Sequence, residues 1–450
     1  MIRHLLYSVL SANKLRRQTK EVSTMETIIQ GRLYSKVIAS SALLVSSIFS
    51  HNAVANTFYD ALANGKTNLD AQLRLETAEQ DNALDDSSLL SFRTRLGYET
   101  AKLSGFAAKL EFENITAVGS DDNFFSPGPN SPLPPGLQSV IADPEVSEVN
   151  KAFVSYSGFS DTLLKYGRQT VNLGNSRFIG NVIWRQNEQT YDGFSIKNTS
   201  FDDLSLFLSH TTNANTVVGG NTDVDITSLH TEYTGFSAGK LTGYAYLYDF
   251  EVTDANDSNT FGLRFAGGSP IGGGNKLLYT AEFARQSDAG DSDLSYDANY
   301  TLLEGAVKFK SGLKLLAGLE TLGSDDGQAS VFTPFSTLHK FNGWADVFLV
   351  GSTTAAGLQN GLEDFYFKVS GKVGRVFLLA AYHDFSSDEA DIDYGSEINL
   401  LAKLSYKKIN YGLKYADYSA DDVVDNSNAL GLAAANVDTE RFWLWASTKF

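Results

Sequence analysis

Leu69 to Thr77 reads LDAQLRLET, and the parity of this stretch decides the fold class. Leu69, Ala71, Leu73, Leu75 and Thr77 share one parity, while Asp70, Gln72, Arg74 and Glu76 share the other. A period of two describes a strand with one greasy and one charged face. The next run repeats it, setting Leu90, Phe92, Thr94, Leu96 and Tyr98 against Arg93, Arg95 and Glu99. A third sets Phe106, Ala108, Leu110 and Phe112 against Lys109, Glu111 and Glu113. Alternation alone also suits a soluble sandwich, so strand length and connectivity have to discriminate.

Further runs fall near residues 149 to 158, 162 to 173, 188 to 198, 203 to 212, 225 to 236, 240 to 252, 257 to 267, 276 to 287, 298 to 310 and 313 to 323. Others fall near 361 to 370, 374 to 385, 395 to 405, 408 to 418 and 439 to 450. The total is about 18 strands, many of about 10 to 12 residues, which is the reach a tilted strand needs to cross hydrocarbon. Connections alternate short and long: Lys102-Leu103, Ala117 to Glu148, Phe159 to Asp161, Gly174 to Asn187, and later Ser311-Gly312, Ser324 to Asn360 and Gly371 to Val373. Short periplasmic turns and long extracellular loops produce that asymmetry in outer-membrane barrels, and an even strand count leaves both termini periplasmic. The expected fold is all-β, a transmembrane antiparallel up-and-down barrel, closed because no edge N–H or C=O can face lipid unpaired. Phe442, Leu444, Ala446, Thr448 and Phe450 form one alternating face at the chain's end, with Trp443 and Trp445 expected near the membrane interface. Phe442, Leu444 and Phe450 resemble the signal read by barrel-assembly machinery.

Composition agrees with many strands joined by tight turns: 38 Gly, 21 Tyr and 29 Phe accompany 8 Pro, 2 Met and no Cys. A mean hydropathy of -0.17 does not oppose a membrane barrel, since only alternate residues meet lipid. Without cysteine there is no disulfide, thiolate metal site or lipoprotein anchor. Arg32 and Lys36 precede the apolar Val37 to Phe49, and Ala53-Val54-Ala55 supplies a small-x-small site. Cleavage after Ala55 is expected, with Met25 as the alternative start. Residues 1 to 55 are then extension and signal peptide, 56 to 66 a periplasmic segment and 67 to 450 the barrel. That removal takes away 7 Lys and Arg and 2 Asp and Glu, shifting the net charge from -17 to -22. Such acidity argues against nucleic acid and fits loops facing lipopolysaccharide and its cations.

SFRTRLGYET at Ser91 to Thr100, YGRQ at Tyr166 to Gln169, WRQNEQTYD at Trp184 to Asp192 and FTPFSTLHKFNGWAD at Phe332 to Asp346 go beyond a generic barrel. With YHDF at Tyr382 to Phe385, YGSE at Tyr394 to Glu397 and KYADY at Lys414 to Tyr418, they resemble the alginate export family of outer-membrane porins. The resemblance runs from about Leu69 to Phe450. It implies an 18-stranded monomer whose basic lumen passes an anionic uronate polymer by diffusion. On the polar faces stand Arg74, Arg93, Arg95, Lys109 and Arg264, and near loop bases Arg168, Arg177, Arg185 and Arg285. Guanidinium forks match carboxylates, so these are the candidate anion path. Glu76, Glu99, Glu111, Glu113, Glu282, Glu320 and Asp364 share those faces as countercharges. Each arginine is therefore also a candidate for a salt bridge that stiffens the wall.

No catalytic residue, metal site or cofactor is expected. His339 and His383, the latter next to Asp384, have no serine motif beside them. Asp291, Asp293 and Asp297, and Asp325-Asp326, lack the glycine and final glutamate of an EF-hand and read as solvated loop. Gly267-Gly268 and Gly272-Gly273-Gly274 read as a turn. Tyr244, Tyr246, Tyr248 and Phe250, like Phe365 and Phe367, are expected to be lipid-facing or girdle residues rather than a sugar-stacking track. Three functions remain open: a channel for anionic saccharide, a general small-solute porin, and a non-conducting adhesin or receptor whose loops Ala117 to Glu148 and Ser324 to Asn360 plug the lumen.

Overall fold

A computed structural model describes residues 53–119, 123–349, 351–421 and 436–450, with side chains from residue 57 onward. The signal stretch up to residue 52 and the Met25 start lie outside the described residues. Helix α1 (Ala53–Ala63) comes first and spans Ala55, the residue after which cleavage is expected. Eighteen strands follow: β1 (Lys66–Gln80), β2 (Ser87–Glu99), β3 (Phe106–Ala117), β4 (Val146–Tyr156), β5 (Thr162–Gln169), β6 (Thr190–Phe201), β7 (Leu204–Asn215), β8 (Asn221–Tyr233) and β9 (Gly239–Phe250). The second half comprises β10 (Ser258–Pro270), β11 (Lys276–Asp288), β12 (Asp297–Lys308), β13 (Lys314–Leu322), β14 (Leu362–Val373), β15 (Val376–Ser386), β16 (Asp393–Tyr406), β17 (Ile409–Ala420) and β18 (Thr439–Lys449).

Each strand pairs antiparallel with its neighbours in sequence, and β1 pairs with both β2 and β18, so the sheet closes on itself. Leu69 N and Phe450 N donate to each other's carbonyls at 3.0 and 2.8 Å, carrying the seam to the last residue. Closure removes every strand edge, and an edge facing hydrocarbon would cost several kcal/mol per unpaired group.

The alternation of LDAQLRLET becomes an inside-out distribution of side chains. Leu73, Phe92, Leu96, Phe112, Leu263 and Phe283 are exposed outward, Leu96 at 57%. Their neighbours Arg74, Arg93, Arg95 and Glu113 point inward, with Arg95 only 4% exposed. Register fixes this arrangement: Leu69 lies opposite Leu96 and Leu73 opposite Phe92, so a slip of one residue would send every charge into lipid. Connections at one end run two to six residues, and at the other five to 39.

Several expectations need correction. The run at 162 to 173 stops at Gln169, because residues 170–189 turn into the barrel. Gly267-Gly268 belong to β10, and the turn is 271–275, where Gly272, Gly273 and Gly274 all adopt positive φ. Trp443 and Trp445 lie on the inward parity of β18, with Trp443 fully buried. Tyr244, Tyr246, Tyr248 and Phe250 are buried on the lumen side, while Leu247 between them faces out. The four do share one parity, but it is the inner one: the greasier face of β9 points into the lumen, because inward loops cover it. Phe365 and Phe367 do face outward.

Candidate functional site

Three loops at the long-loop end, described over residues 123–145, 170–189, and 323–349 with 351–361, descend into the barrel. Gly180 N donates to Phe335 O at 2.8 Å, Thr337 N to Ser176 O at 3.0 Å, and Arg441 Nη1 of β18 to Val140 O at 2.9 Å. Phe178, Ile179, Phe332, Phe335 and Phe348 from the loops join Tyr244, Tyr246, Tyr248, Tyr300 and Tyr418 from the wall in one buried cluster. Burying that much aromatic surface supplies the cohesion of the plug. Gly343, at φ +82°, permits the closest approach, since a Cβ there would stand 2.1 Å from Glu397 Oε2. Glu397 in turn accepts from the backbone N–H groups of Trp344 and Ala345, which ties the loop to β16.

Five of the nine basic residues expected to form an anion path meet in this plug, and protein carboxylates already occupy them. Arg74 donates to Trp184 O at 2.6 Å and is ion-paired with Asp143. Arg93 donates to Asp70 at 2.8 Å, and Arg95 is paired with Glu113. Both also reach Gln186 O, at 3.4 and 2.9 Å. Arg185 contacts Glu76 at 2.9 Å and Asp346 at 2.7 Å, bridging β1 to the 323–361 loop. Arg177 pairs with Glu320 at 3.0 Å and donates to Asn342 Oδ1 at 3.0 Å. Burial works against the Arg185 charge, but Glu76, Asp143 and Asp346 together hold its pKa above the ordinary arginine value.

All four tryptophans of the chain gather beside this network. Lys414 Nζ lies 4.2 Å from the Trp184 ring centre and 3.7 Å from that of Trp344. His339 stacks on Trp184 with centroids 4.7 Å apart. Its Nδ1 is 2.8 Å from Asp346 Oδ1 and its Nε2 2.5 Å from Lys414 Nζ. A neutral imidazole serves both contacts, donating to the carboxylate and accepting from the ammonium. Burial pushes the His339 pKa down to about 3, with Lys414 adding to the fall against the pull of Asp346. Burial opposes ionisation of Asp346 as well, yet His339 and Arg185 hold its carboxyl below the usual range. His383 has Asp364 as its carboxylate partner, at 2.8 Å, rather than its neighbour Asp384.

Two of the expected path residues do not face the lumen. Arg285 shares the outward parity of Phe283, its side chain is 65% exposed, and it pairs with Asp297. Arg168 shares the outward parity of Tyr166 and forks onto Asp192 at 2.9 and 3.0 Å. Both stand near the long-loop rim, where strand parity, not charge, sets the direction. Arg264 does face inward, 2.5 Å from Glu282, which also accepts from Tyr244 OH at 2.9 Å.

Beneath the plug, at the short-turn end, a cavity of about 660 Å³ opens between β1 and β5. Lys66, Lys102, Lys109, Lys151 and Lys165 line it, with Glu99 as the carboxylate among them. Lys109 and Lys151 share Glu111 at 3.5 and 2.7 Å, and Lys151 also pairs with Glu188 of the 170–189 loop. Of these lysines the sequence reading named only Lys109. Lys151 and Lys165 lie on the inward parity near short turns, and that position was the available clue.

A closed sheet with hydrocarbon outside, ions inside and loops folded into the lumen is built as an outer-membrane porin. In fold it is similar to OccAB2 of Acinetobacter baumannii, at 13% identity and TM-score 0.65, over 87% of this chain and 99% of that one. OpdK of Pseudomonas aeruginosa, solved with vanillate, gives 13% identity and TM-score 0.63 over 86% and 99%. OccD3 (OpdP) of the same species gives 14% and 0.60 over 87% and 92%. No curated protein matches the sequence. The alginate export family profile matches residues 66–315, over half of the chain. The chain belongs to the alginate export family, and its place is the outer membrane of a Gram-negative bacterium.

Proposed function

We propose that this porin passively conducts anionic oligo- or polysaccharide of alginate type. The carrying observation is the set of inward-parity lysines in the short-turn half of the wall. Lys66, Lys165, Lys197, Lys308, Lys314 and Lys368 have no carboxylate within ion-pair reach among the described residues. Unpaired ammoniums in a lumen walled by low dielectric raise the local concentration of anions. The family's description supplies the polymer class, and the solute gradient sets the direction of flow. The buried arginines act here as anchors of the plug, so conduction follows displacement of the loops.

Purified protein with residues 323–361 and 118–145 shortened, placed in planar bilayers under a salt gradient, tests this reading. An anion-selective reversal potential is expected; cation selectivity would overturn it, and an unselective current would point to a general small-solute porin. The packing of loops into the lumen favours a second reading, a non-conducting adhesin or receptor. That reading prevails if the shortened form carries no current. Phe442, Leu444 and Phe450, on the outward face of β18 and its end, are the residues we assign to recognition by the assembly machinery. Deleting Phe450 should reduce the amount of heat-modifiable barrel recovered from membranes.

A further inference from the structure

We infer that the outer wall of the barrel binds one anionic glycerophospholipid of the periplasmic leaflet, its acyl chain in an apolar recess across β14 to β17 and its headgroup on the cationic turns beneath. The site lies on the lipid face and is independent of which solute passes through the lumen.

Side-chain size makes the recess. Lipid-facing positions of β14, β15 and β16 carry Gly371, Ala380 and Ala402, where β2 carries Phe92 and Leu96. Register sets the three close together: Leu378 lies opposite both Gly371 and Ala402, and Ala380 opposite Val369 and Leu400. The result is a depression of about 570 Å³ walled by Leu313, Val373, Leu378, Leu400 and Leu413. Room remains at its floor, since a Cβ on Gly371 would come no nearer than 3.5 Å to Leu313. A hydrocarbon chain lying there gains contacts along its sides that a convex wall does not offer.

Charge names the headgroup. Lys310, Lys372, Arg375, Lys407 and Lys408 are exposed at the short-turn edge, and Lys372 also lines the recess. No acidic residue occurs from Gly305 to Leu319, from Phe365 to His383 or from Ile398 to Ala416, so these hairpins carry no charge of the opposite sign near their turns. Tyr406, Tyr411 and Phe450 are exposed along the same edge and mark the interfacial layer. Lys407 Nζ lies 5.4 Å from the Tyr406 ring centre and Lys408 Nζ 5.7 Å from that of Phe450, which puts both ammoniums at headgroup depth. Both lysines hold positive φ, 48° and 67°, in a two-residue turn where asparagine and glycine would be less strained. An acyl chain in contact and a polybasic edge together hold a lipid that neither would hold alone.

A second outward recess, of about 530 Å³, lies across β8 to β11 over Gly243 and Ala245. The turns below it, 234–238 and 271–275, carry no charged residue, and Arg285 at its far rim is paired with Asp297. Both recesses are apolar, but one of them has cations at its short-turn edge.

Native mass spectrometry of the full barrel, released from detergent after incubation with phosphatidylglycerol, phosphatidylcholine or lipid A, tests the site. One phosphatidylglycerol should stay bound per barrel, and phosphatidylcholine with the same chains should not. Combining Lys372→Gln, Arg375→Gln, Lys407→Gln and Lys408→Gln should cut its retention by about tenfold or more. Ala380→Leu with Ala402→Leu fills the recess and should also reduce retention, whereas Ala245→Leu in the second recess should leave it unchanged. All three variants should still run as folded, heat-modifiable bands. Unchanged retention in either of the first two variants would overturn the site, as would equal retention of phosphatidylcholine. Preference for lipid A would overturn the leaflet assignment, and a dimer that separates when the recess is filled would put a second copy of the chain in place of the lipid.

Discussion

The upper and lower halves of the lumen carry the same residue-level feature, basic side chains turned inward, and use it in opposite ways. Above, Arg74, Arg93, Arg95, Arg177 and Arg185 are buried and each has a carboxylate partner. Below, Lys66, Lys102 and Lys165 face an open cavity with no carboxylate within ion-pair reach among the described residues. The difference is whether a loop comes down over the charge. A charge removed from water must be compensated in place, whereas one that stays hydrated can wait for a solute.

The largest effect should come from emptying the centre of the plug. Arg185→Met leaves Glu76, Asp143 and Asp346 buried without their shared partner, at a cost of about 3 to 5 kcal/mol. The midpoint of heat modification should fall and bilayer current should rise; an unchanged midpoint would show that the arginines are not anchors. Next is Lys414→Met, which removes the cation from the tryptophan cluster and the hydrogen bond to His339, costing about 1 to 2 kcal/mol. All four tryptophans report on this spot, so their emission should move to the red.

Acid should loosen the same contact. The folded pKa of His339, about 3, lies below its ordinary 6.5. The unfolded or released loop therefore binds the extra proton, and stability present at neutral pH is lost as pH falls from about 6.5 toward 3. Asp346, held low, loses its contribution in the same direction below its ordinary 3.8. Tryptophan emission should follow this window, and His339→Gln should flatten the upper part of it. The smallest effect is expected at the outer rim: Arg285→Ala breaks an exposed pair with Asp297, should alter stability by no more than about 0.5 kcal/mol, and should leave ion selectivity untouched. A selectivity change there would undo the assignment of Arg285 to the outer face.

Much of the barrel was legible in single stretches. The run from Leu69 to Thr77, the alternation of short and long connections, and the terminal Phe442 to Phe450 predicted the strands at the places where they form. The candidate site was less legible. Charge alone groups Arg168 and Arg285 with the lumen arginines, where strand parity separates them, and greasiness alone assigns Tyr244 to Phe250 to lipid, where the loops inside the barrel cover them. Lys151 and Lys165 went unnamed because nothing local separates a lysine that stays hydrated from one that pairs. Asp143 and Asp346, the partners of Arg74 and Arg185, lie in loops with no periodicity to follow.

The amino-acid sequence by itself determined that the chain is a run of strands, which face of most of them meets hydrocarbon and how the chain weaves up and down. Those follow from a two-residue period and from the backbone's need for partners in lipid, both expressed over about ten neighbouring residues. Only the tertiary structure decided which cations are spent and which are free. Arg185 finds Glu76 across 109 residues and Asp346 across 161, and such pairings exist only once the barrel has closed and its loops have folded inside.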